Sequence, residues 1–438
     1  MSNDPPLPKA FRRVWAAASV SSFGDGVYLT ALPLLAASLT RDPLLLSVIS
    51  AAALLPWLLF GLVGGALVDR WDRRDTMWLT DAARALLLLA AVAGAAAGLL
   101  SVPLLIALAF VLGIGQILFD TASTAYLPEL LDRDPAKLKP ANARLRGSVD
   151  VLDGFVGPPS GSLLFTLGRT VPLLVDAVSF LFSSLVIRTL PATAPRPRPA
   201  RRPLLKEAAD GGRYLLGNPL LLGLSLRPAL GNFAFSAGTS VFVLFAQEKL
   251  HLGAAGYGLL LSCEAVGGFL GSMLSARISD RLGTGGALIL TAVLLTVAQT
   301  SIGLTSSAVL AGIALALRAA ALSGTIVLSG AVRQTIVPDE LMGRVAAAGR
   351  LLGLGAAPLG ALLGGWLATV GGLRAPYLAG AVFLAASTLI SLTMTSNRKV
   401  EAALAAAERA RAESAGRAGD EEVTVAAEAG NREVRGGD

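Results

Sequence analysis

Long apolar segments recur along the whole chain, separated by short segments rich in charge, proline or glycine. A helix needs about 20 mainly apolar residues to cross the hydrocarbon core of a bilayer. Such a helix also makes all of its backbone hydrogen bonds internally, as lipid requires. The pattern therefore predicts an all-α polytopic membrane protein with twelve transmembrane helices. The predicted spans are 14–38, 46–68, 77–99, 103–126, 147–167, 171–190, 219–246, 257–277, 286–305, 308–328, 346–369 and 375–394.

The composition supports a membrane protein. Of the 438 residues, 54% are apolar and 15% are charged, whereas soluble chains carry about 25% charged residues. This argues against a water-soluble enzyme and against a disordered chain. The single cysteine, Cys263, excludes an intramolecular disulfide, and the single histidine, His251, excludes a site with several histidine ligands. The sequence has no nucleotide-binding loop and no nucleophile–base pair, so we expect no enzymatic activity and no cofactor.

Basic residues are concentrated in alternate loops. One set of loops carries 24 Lys and Arg residues and the opposite set carries 4, namely Arg41, Arg169, Lys249 and Arg374. Basic loops remain in the cytoplasm, which predicts an even number of spans with both termini cytoplasmic. The formal net charge of +7 then reflects loop orientation, and we expect no nucleic-acid partner.

The chain divides into two similar halves. A Pro- and Arg-rich segment interrupts the apolar pattern, and proline cannot continue a helix there. The predicted units are a six-helix bundle over 1–190, a cytoplasmic linker over 191–218, a second six-helix bundle over 219–396 and a polar tail over 397–438. Leu204 to Tyr214 in the linker is predicted to be a short helix on the membrane surface. In the tail we expect a solvated helix over Glu401–Ser414 and disorder beyond Gly416.

The halves also share local sequence. Gly65-Ala-Leu-Val-Asp69-Arg70 ends the second span, and Ala276-Arg-Ile-Ser-Asp280-Arg281 ends the eighth, with the second Asp-Arg pair 211 residues after the first. Duplicated units with a substrate site between them are typical of secondary transporters. The duplication favours a transporter with two pseudo-symmetric bundles.

The loop after the second span identifies a family resemblance. Gly65-Ala-Leu-Val-Asp69-Arg70-Trp-Asp72-Arg73-Arg74 resembles the signature loop of the Major Facilitator Superfamily, except that Asp72 replaces the usual glycine. The resemblance implies that these residues, with the weaker copy at Asp280 and Arg281, hold the cytoplasmic side closed. Asp69 suits the N-terminus of a neighbouring helix, and Arg70 and Arg73 have Asp120 and Glu129 as candidate partners.

Within that superfamily, the chain resembles the drug and siderophore exporters. The resemblance rests on Ser22-Phe23-Gly24-Asp25 in the first span and on Gly157-Pro158-Pro159-Ser160-Gly161 in the fifth. Gly157, Pro158 and Gly161 match the core of the antiporter motif, although Asp153 occupies a position where that motif has glycine.

Ionisable residues within the spans are candidate transport residues, because a charge at bilayer depth costs at least about 2.5–3.5 kcal/mol. Asp25 lies near mid-depth and is the predicted proton carrier; the alternative is a structural hydrogen bond. Arg318 is predicted to be a counter-charge for Asp25 or a ligand for an acidic substrate group. Glu264 is a candidate for gating or proton relay, and Asp120 for pairing with the signature-loop arginines.

These observations predict a secondary transporter that works by alternating access. The predicted activity is proton-coupled export of an amphipathic drug, natural product or siderophore by a monomer in the bacterial inner membrane. Two alternatives remain open: an uptake facilitator or proton symporter for a metabolite or lysolipid, and a non-transporting membrane sensor of the same fold.

Overall fold

The computed structural model describes residues 7–60, 71–192 and 204–409. Within these ranges the regular structure is helical throughout. The helices of the first half are α1 (Lys9–Leu39), α2 (Pro43–Phe60), α3 (Arg73–Ala96), α4 (Val102–Leu130), α5 (Pro135–Val149), a π-helix (Asp150–Val156), α6 (Gly157–Leu167) and α7 (Val171–Arg188). Those that follow are α8 (Leu204–Gly217), α9 (Pro219–Thr239), α10 (Phe242–Glu248), α11 (Ala254–Leu282), α12 (Thr284–Leu304), α13 (Ala308–Ile336), α14 (Asp339–Gly371) and α15 (Ala375–Met394).

The predicted all-α membrane fold is confirmed, with a difference in the number of uninterrupted spans. Among the described residues, 11 helices are long and apolar enough to cross a membrane. The remaining predicted span, 147–167, is helical but consists of the end of α5, the seven-residue π-helix and α6. Pro158 and Pro159 follow this π-helix, and proline lacks the N–H that a regular helix needs. The second predicted span ends within 61–70, outside the described residues.

The helices pack within each half and meet across two seams. In the first half α1 packs against α6 and α7, and α3 packs against α4 and α7. In the second half α11 packs against α13, and α9 packs against α14 and α15. The seams between the halves are formed by α2 with α14 and by α6 with α11.

Small residues allow close approach in both seams. A β-carbon on Gly258 would lie 2.0 Å from Ser162 Oγ, and one on Gly365 would lie 1.9 Å from Ser47 Oγ. Both contacts lie toward the side that the loop charges predict to be extracellular. Glycine permits such close approach between membrane helices because it has no side chain. The halves are thus in tight contact at this end.

The hydrophobic clusters differ at the two ends of the molecule. One cluster joins both halves at the predicted outer end, where Leu35 and Ile49 belong to the same core as Phe245 and Tyr257. At the other end, the described residues form separate clusters in the first half and in the second half. Among the described residues, a shared hydrophobic core therefore joins the halves at the predicted extracellular end, and none joins them at the predicted cytoplasmic end.

The linker helix and the tail helix are both docked on the second half. Helix α8 forms as predicted, but a β-carbon on its Gly211 would lie 2.1 Å from the Arg344 carbonyl oxygen, so this turn packs directly against α14. The tail is helical over 397–409, and its Val400 is fully buried beside Leu215 and Leu288. Within the predicted solvated helix 401–414, the described part is helical to 409 and mostly exposed, but Ala403 and Leu404 pack on the same cluster, so the second half covers one apolar face. Residues 410–438 lie outside the described residues.

Candidate substrate and proton site

Asp25 forms an ion pair with Arg84 inside the first half. Arg84 Nη2 donates a 2.8 Å hydrogen bond to Asp25 Oδ1 and a 2.6 Å hydrogen bond to Gln116 Oε1. Arg84 lies 11 residues into α3, which corresponds to roughly 17 Å along the helix. The pair therefore joins α1, α3 and α4 near mid-depth in the bilayer.

Gln116 extends this network to Asp120. Its Nε2 donates to both Asp120 carboxylate oxygens at 3.1 Å. The predicted pairing of Asp120 with a signature-loop arginine is not formed by Arg73 or Arg74, because Asp120 faces Gln116 one turn away on α4. A hydrogen-bonded chain thus runs from Asp25 through Arg84 and Gln116 to Asp120.

Two further buried carboxylates, Asp81 and Asp176, lie in the same half, and Asp81 is on the opposite edge of Arg84 from Asp25. Asp81 is fully buried, its Oδ1 lies 3.6 Å from Arg84 Nη1, and neither of its oxygens has a hydrogen-bond partner among the described residues. Asp176 on α7 is 1% exposed and accepts a hydrogen bond from Ser179 at its Oδ1, while its Oδ2 has no such partner. The guanidinium of Arg84 stacks on the Phe180 ring at 3.7 Å. Arg84 therefore has two carboxylates within ion-pair distance, Asp25 at 2.8 Å and Asp81 at 3.6 Å, and only Asp25 is hydrogen-bonded to it.

The sequence interpretation underestimated this group. Asp81 and Arg84 are three positions apart on the third span, a spacing that by itself predicts a structural pair on one helix face, and Asp176 lies at the start of the sixth span, where an acid suits a helix N-terminus. The signal that identifies Arg84 as a central residue is its depth, because an arginine about 17 Å into a span needs a polar partner.

Arg318 and Glu264 form the ionic pair of the second half. Arg318 Nη2 donates to Glu264 Oε1, and their side chains are 3% and 14% exposed. The guanidinium also lies 4.7 Å from the centre of the Phe235 ring. The prediction that Arg318 is the counter-charge of Asp25 is wrong for this conformation, because each half pairs its own acid and base.

The signature loop is described only from residue 71 onward, so Gly65, Asp69 and Arg70 lie outside the described residues. Arg73 forms an ion pair with Glu129 at the predicted cytoplasmic end of α4, as expected, and the two side chains are 8% and 10% exposed. Arg74 binds Asp75 and the Leu190 carbonyl oxygen.

Asp72 has a local structural role. Its side chain accepts a 3.0 Å hydrogen bond from the Asp75 N–H and so caps the N-terminus of α3. An N-terminal cap stabilises a helix by about 1 kcal/mol, which accounts for an aspartate where the superfamily pattern has glycine.

The weaker signature copy ends α11. Asp280 and Arg281 are both exposed. Neither residue forms an ion pair with another residue of the described ranges.

The antiporter-like motif brings three helices together. A β-carbon on Gly157 would lie 2.6 Å from Gly26 Cα, and one on Gly161 would lie 2.5 Å from the Val27 carbonyl oxygen. The Pro158 carbonyl oxygen would lie 2.8 Å from a β-carbon on Gly258 of α11. The motif therefore lets α6 contact α1 in its own half and α11 in the other half.

The described residues contain no cluster of three His, Cys, Asp or Glu side chains arranged to hold a metal ion.

Comparisons with known proteins give a consistent result. The chain is 29% identical over 383 residues to the multidrug efflux pump Tap of Mycolicibacterium fortuitum, covering 83% of this chain and 90% of the relative. It is 27% identical over 346 residues to the enterobactin exporter EntS of Escherichia coli O1:K1, covering 77% and 80%. A solved bacterial homologue of the iron transporter ferroportin, in an inward-facing state, covers 90% of this chain and all of its own with a TM-score of 0.72 and 15% identity.

A family profile described as a transmembrane secretion effector matches residues 2–423. This match confirms the predicted resemblance over nearly the whole chain. The chain belongs to the transmembrane secretion effector family of the Major Facilitator Superfamily, and it is a multi-pass membrane transporter rather than an enzyme.

Proposed function

We propose that this protein exports an amphipathic small molecule in exchange for protons. The observation that carries the proposal is the partly buried chain from Asp25 through Arg84 and Gln116 to Asp120. Ionisable residues inside a membrane protein are costly and are usually part of an ion or substrate pathway. The similarity to Tap and EntS supports export of a drug-like or siderophore-like compound. The energy source is the proton gradient, and the protein functions without a cofactor, as a monomer in the inner membrane with both termini cytoplasmic.

Transport proceeds by alternating access between two bundles, residues 1–190 and 219–396, which rock about a central cavity. The linker 191–218 connects them, and the tail 397–438 is cytoplasmic. Contacts at the predicted outer end join the bundles, including a hydrogen bond from Arg41 to Gln247. The described cores at the other end are separate. These contacts among the described residues support an inward-facing state for the proposed cycle, in which substrate enters from the cytoplasm.

Arg84 couples protonation of Asp25 to helix position. Its Nη2 serves Asp25 and Gln116, while its Nε and Nη1 have no hydrogen-bond partner among the described residues. When Asp25 takes a proton, its charge attraction to Arg84 disappears, and the free edge of the guanidinium closes the 3.6 Å gap to Asp81. Protonation thus releases α1 from α3 and tightens a pair within α3.

The second half provides the complementary charged group. Arg318 is held by Glu264 and Phe235, and an acidic substrate group competes with Glu264 for the guanidinium. The signature residues form the cytoplasmic latch: Gly65, Asp69, Arg70, Arg73 and Arg74 in the first half, with Asp280 and Arg281 in the second. In that latch the pair of Arg73 with Glu129 anchors the start of α3.

Inside-out vesicles test the proposal with ethidium, an amphipathic fluorescent dye, as the probe. With an acidified lumen, we expect wild-type vesicles to accumulate the dye, and Asp25→Asn vesicles to lose at least tenfold of the gradient-dependent rate. Asp42→Asn is the matched control, because Asp42 lies in a predicted outer loop and its hydrogen bond from the Leu44 N–H is available to asparagine.

Full gradient-driven accumulation by the Asp25→Asn variant would remove Asp25 from the mechanism. Dye movement out of the lumen together with protons would instead identify an uptake symporter.

A further inference from the structure

An apolar groove opens on the lipid-facing side of the second half. It is separate from the ionic site. It lies between α11, α12 and α13 and has a volume of about 370 Å³. Its walls include Leu270, Leu274, Ile278, Leu290, Leu294 and Leu317. Leu270 and Leu274 are 47% and 42% exposed, so the groove is open to the surrounding lipid.

The floor of the groove is formed by backbone where α11 and α13 touch. A β-carbon on Gly267 would lie 2.0 Å from the Ala316 carbonyl oxygen, and one on Gly271 would lie 2.2 Å from that of Ala320. This close approach leaves a channel between the larger side chains on either side.

The hydroxyl groups that line the groove are satisfied within the protein. Thr291 donates to the Leu288 carbonyl oxygen at 2.8 Å, and Thr325 donates to Thr291 at 3.0 Å. Ser275 donates to the Ser272 carbonyl oxygen at 2.7 Å. Because these polar groups are already paired, the groove suits a hydrocarbon chain better than water or a polar ligand.

The length of the groove matches one leaflet. Along α11 it extends from Gly267 to Ile278, which is roughly 17 Å at the rise of an α-helix. Half of the hydrocarbon core is about 15 Å thick. The loop charges predict that this end of α11 is cytoplasmic, so the groove spans the inner leaflet.

Positive charge lies at the cytoplasmic end of the groove. Arg277 and Arg281 are exposed, and they follow Leu270 and Leu274 by seven residues, or two helical turns, which places them on the same face of α11. Neither arginine forms an ion pair with a residue in the described part of the chain. The neighbouring acid, Asp280, lies about 100° around the helix from Arg281 and about 60° from Arg277, and it forms no ion pair with either arginine within the described residues.

We propose that this groove binds an anionic phospholipid of the inner leaflet. One acyl chain occupies the channel between α11, α12 and α13, and the phosphate group contacts Arg277 and Arg281. Basic clusters at the cytoplasmic ends of membrane helices bind anionic lipid headgroups in this way. The groove is separate from the Asp25 and Arg318 networks. Arg281 also belongs to the proposed latch, so the test below measures lipid retention and not transport.

Native mass spectrometry of the full chain in detergent tests this proposal. The protein is incubated with equal amounts of phosphatidylglycerol and phosphatidylcholine that carry identical acyl chains. We expect the wild type to retain more phosphatidylglycerol, and the Arg277→Gln/Arg281→Gln variant to lose about fivefold of that preference for each arginine. Leu274→Trp fills the channel and is expected to reduce the retention of both lipids, with Leu270→Trp as the alternative if that variant does not fold.

Two matched control variants distinguish lipid binding in the groove from lipid binding elsewhere on the protein surface. Arg144→Gln/Arg146→Gln removes two exposed basic residues from another cytoplasmic loop, and Leu259→Trp enlarges an apolar side chain elsewhere on α11 that is 64% exposed. Both controls should retain lipid like the wild type. The proposal would be overturned if the wild type retained the two lipids equally, or if the control variants lost as much lipid as the groove variants. Displacement of the bound lipid by ethidium would also overturn it.

Discussion

Arg84 is held by Asp25 on one edge, at 2.8 Å, while its other edge faces Asp81 at 3.6 Å without a hydrogen bond. Asp25 is on α1 and Asp81 is on α3, so the two acids tie the same guanidinium to different helices. A change of partner would change how these helices are held together.

Removal of Arg84 should strongly destabilise the first half. Arg84→Gln leaves Asp25 and Asp81 without their shared cation, and loss of one partner of a buried ion pair costs about 3–5 kcal/mol. Thermal unfolding in detergent should therefore show a large loss of stability. Adding Asp25→Asn should recover part of it, because the double variant removes one of the unpaired charges.

Arg74→Gln provides the comparison for this series. Arg74 is about a quarter exposed and pairs with its neighbour Asp75, so its loss should cost less than about 1 kcal/mol. If Arg84→Gln and Arg74→Gln lowered the stability of the protein by the same amount, a special role for Arg84 would be contradicted.

Asp81→Asn should impair transport without destabilising the fold. The buried Asp81 carboxylate accepts no hydrogen bond from the described residues, so neutralising it should leave the unfolding temperature unchanged or raise it. If Asp81 is the second partner of Arg84, the kcat of gradient-driven export should fall at least tenfold with less than a twofold change in KM. A purely structural Asp81 would show the reverse: a lower unfolding temperature and an unchanged kcat.

A charge exchange at the predicted cytoplasmic latch should restore activity. Arg73 and Glu129 are both nearly buried, so Arg73→Glu places two like charges together and should abolish export. The Arg73→Glu/Glu129→Arg variant re-forms the pair and should recover at least half of the dye export rate in inside-out vesicles. Failure of the exchange in a variant that folds normally would show that the identity of each residue matters beyond the pair.

One added methyl group should weaken the outer seal. In Gly258→Ala the new β-carbon would lie 2.8 Å from the Pro158 carbonyl oxygen and 2.0 Å from Ser162 Oγ. Overpacking of this kind costs about 1–3 kcal/mol, and it acts only when the outer ends are closed. Spin labels at positions 41 and 247, in a Cys263→Ser background, should therefore show a shift toward longer distances.

Gly94→Ala is the matched control for this seal, because a β-carbon there meets no atom within 4 Å. Its distance distribution should equal that of the parent protein. An unchanged distribution for Gly258→Ala would mean that the contact with Ser162 and Pro158 does not limit opening.

The helical membrane fold followed from the sequence because lipid allows few solutions. A span must be long and apolar, and it must make all of its backbone hydrogen bonds within itself. Its position can therefore be predicted from the runs of apolar residues along the sequence. The Arg73–Glu129 pair was also predictable, since both residues lie at the same end of neighbouring spans. The signature loop carries the resemblance to the superfamily, and the Gly157-Pro158 motif carries the resemblance to its drug and siderophore exporters.

The partners of the membrane-embedded charges were decided by tertiary structure. Asp25 and Arg318 both lie near mid-depth, and depth alone permitted them to pair; helix packing instead places Arg84 beside Asp25 and Glu264 beside Arg318. The π-helix at Asp150–Val156 and the burial of Val400 were likewise unpredicted. Each of these features depends on which helix packs against a given residue. The spacing of apolar residues in a span does not specify which helix that is.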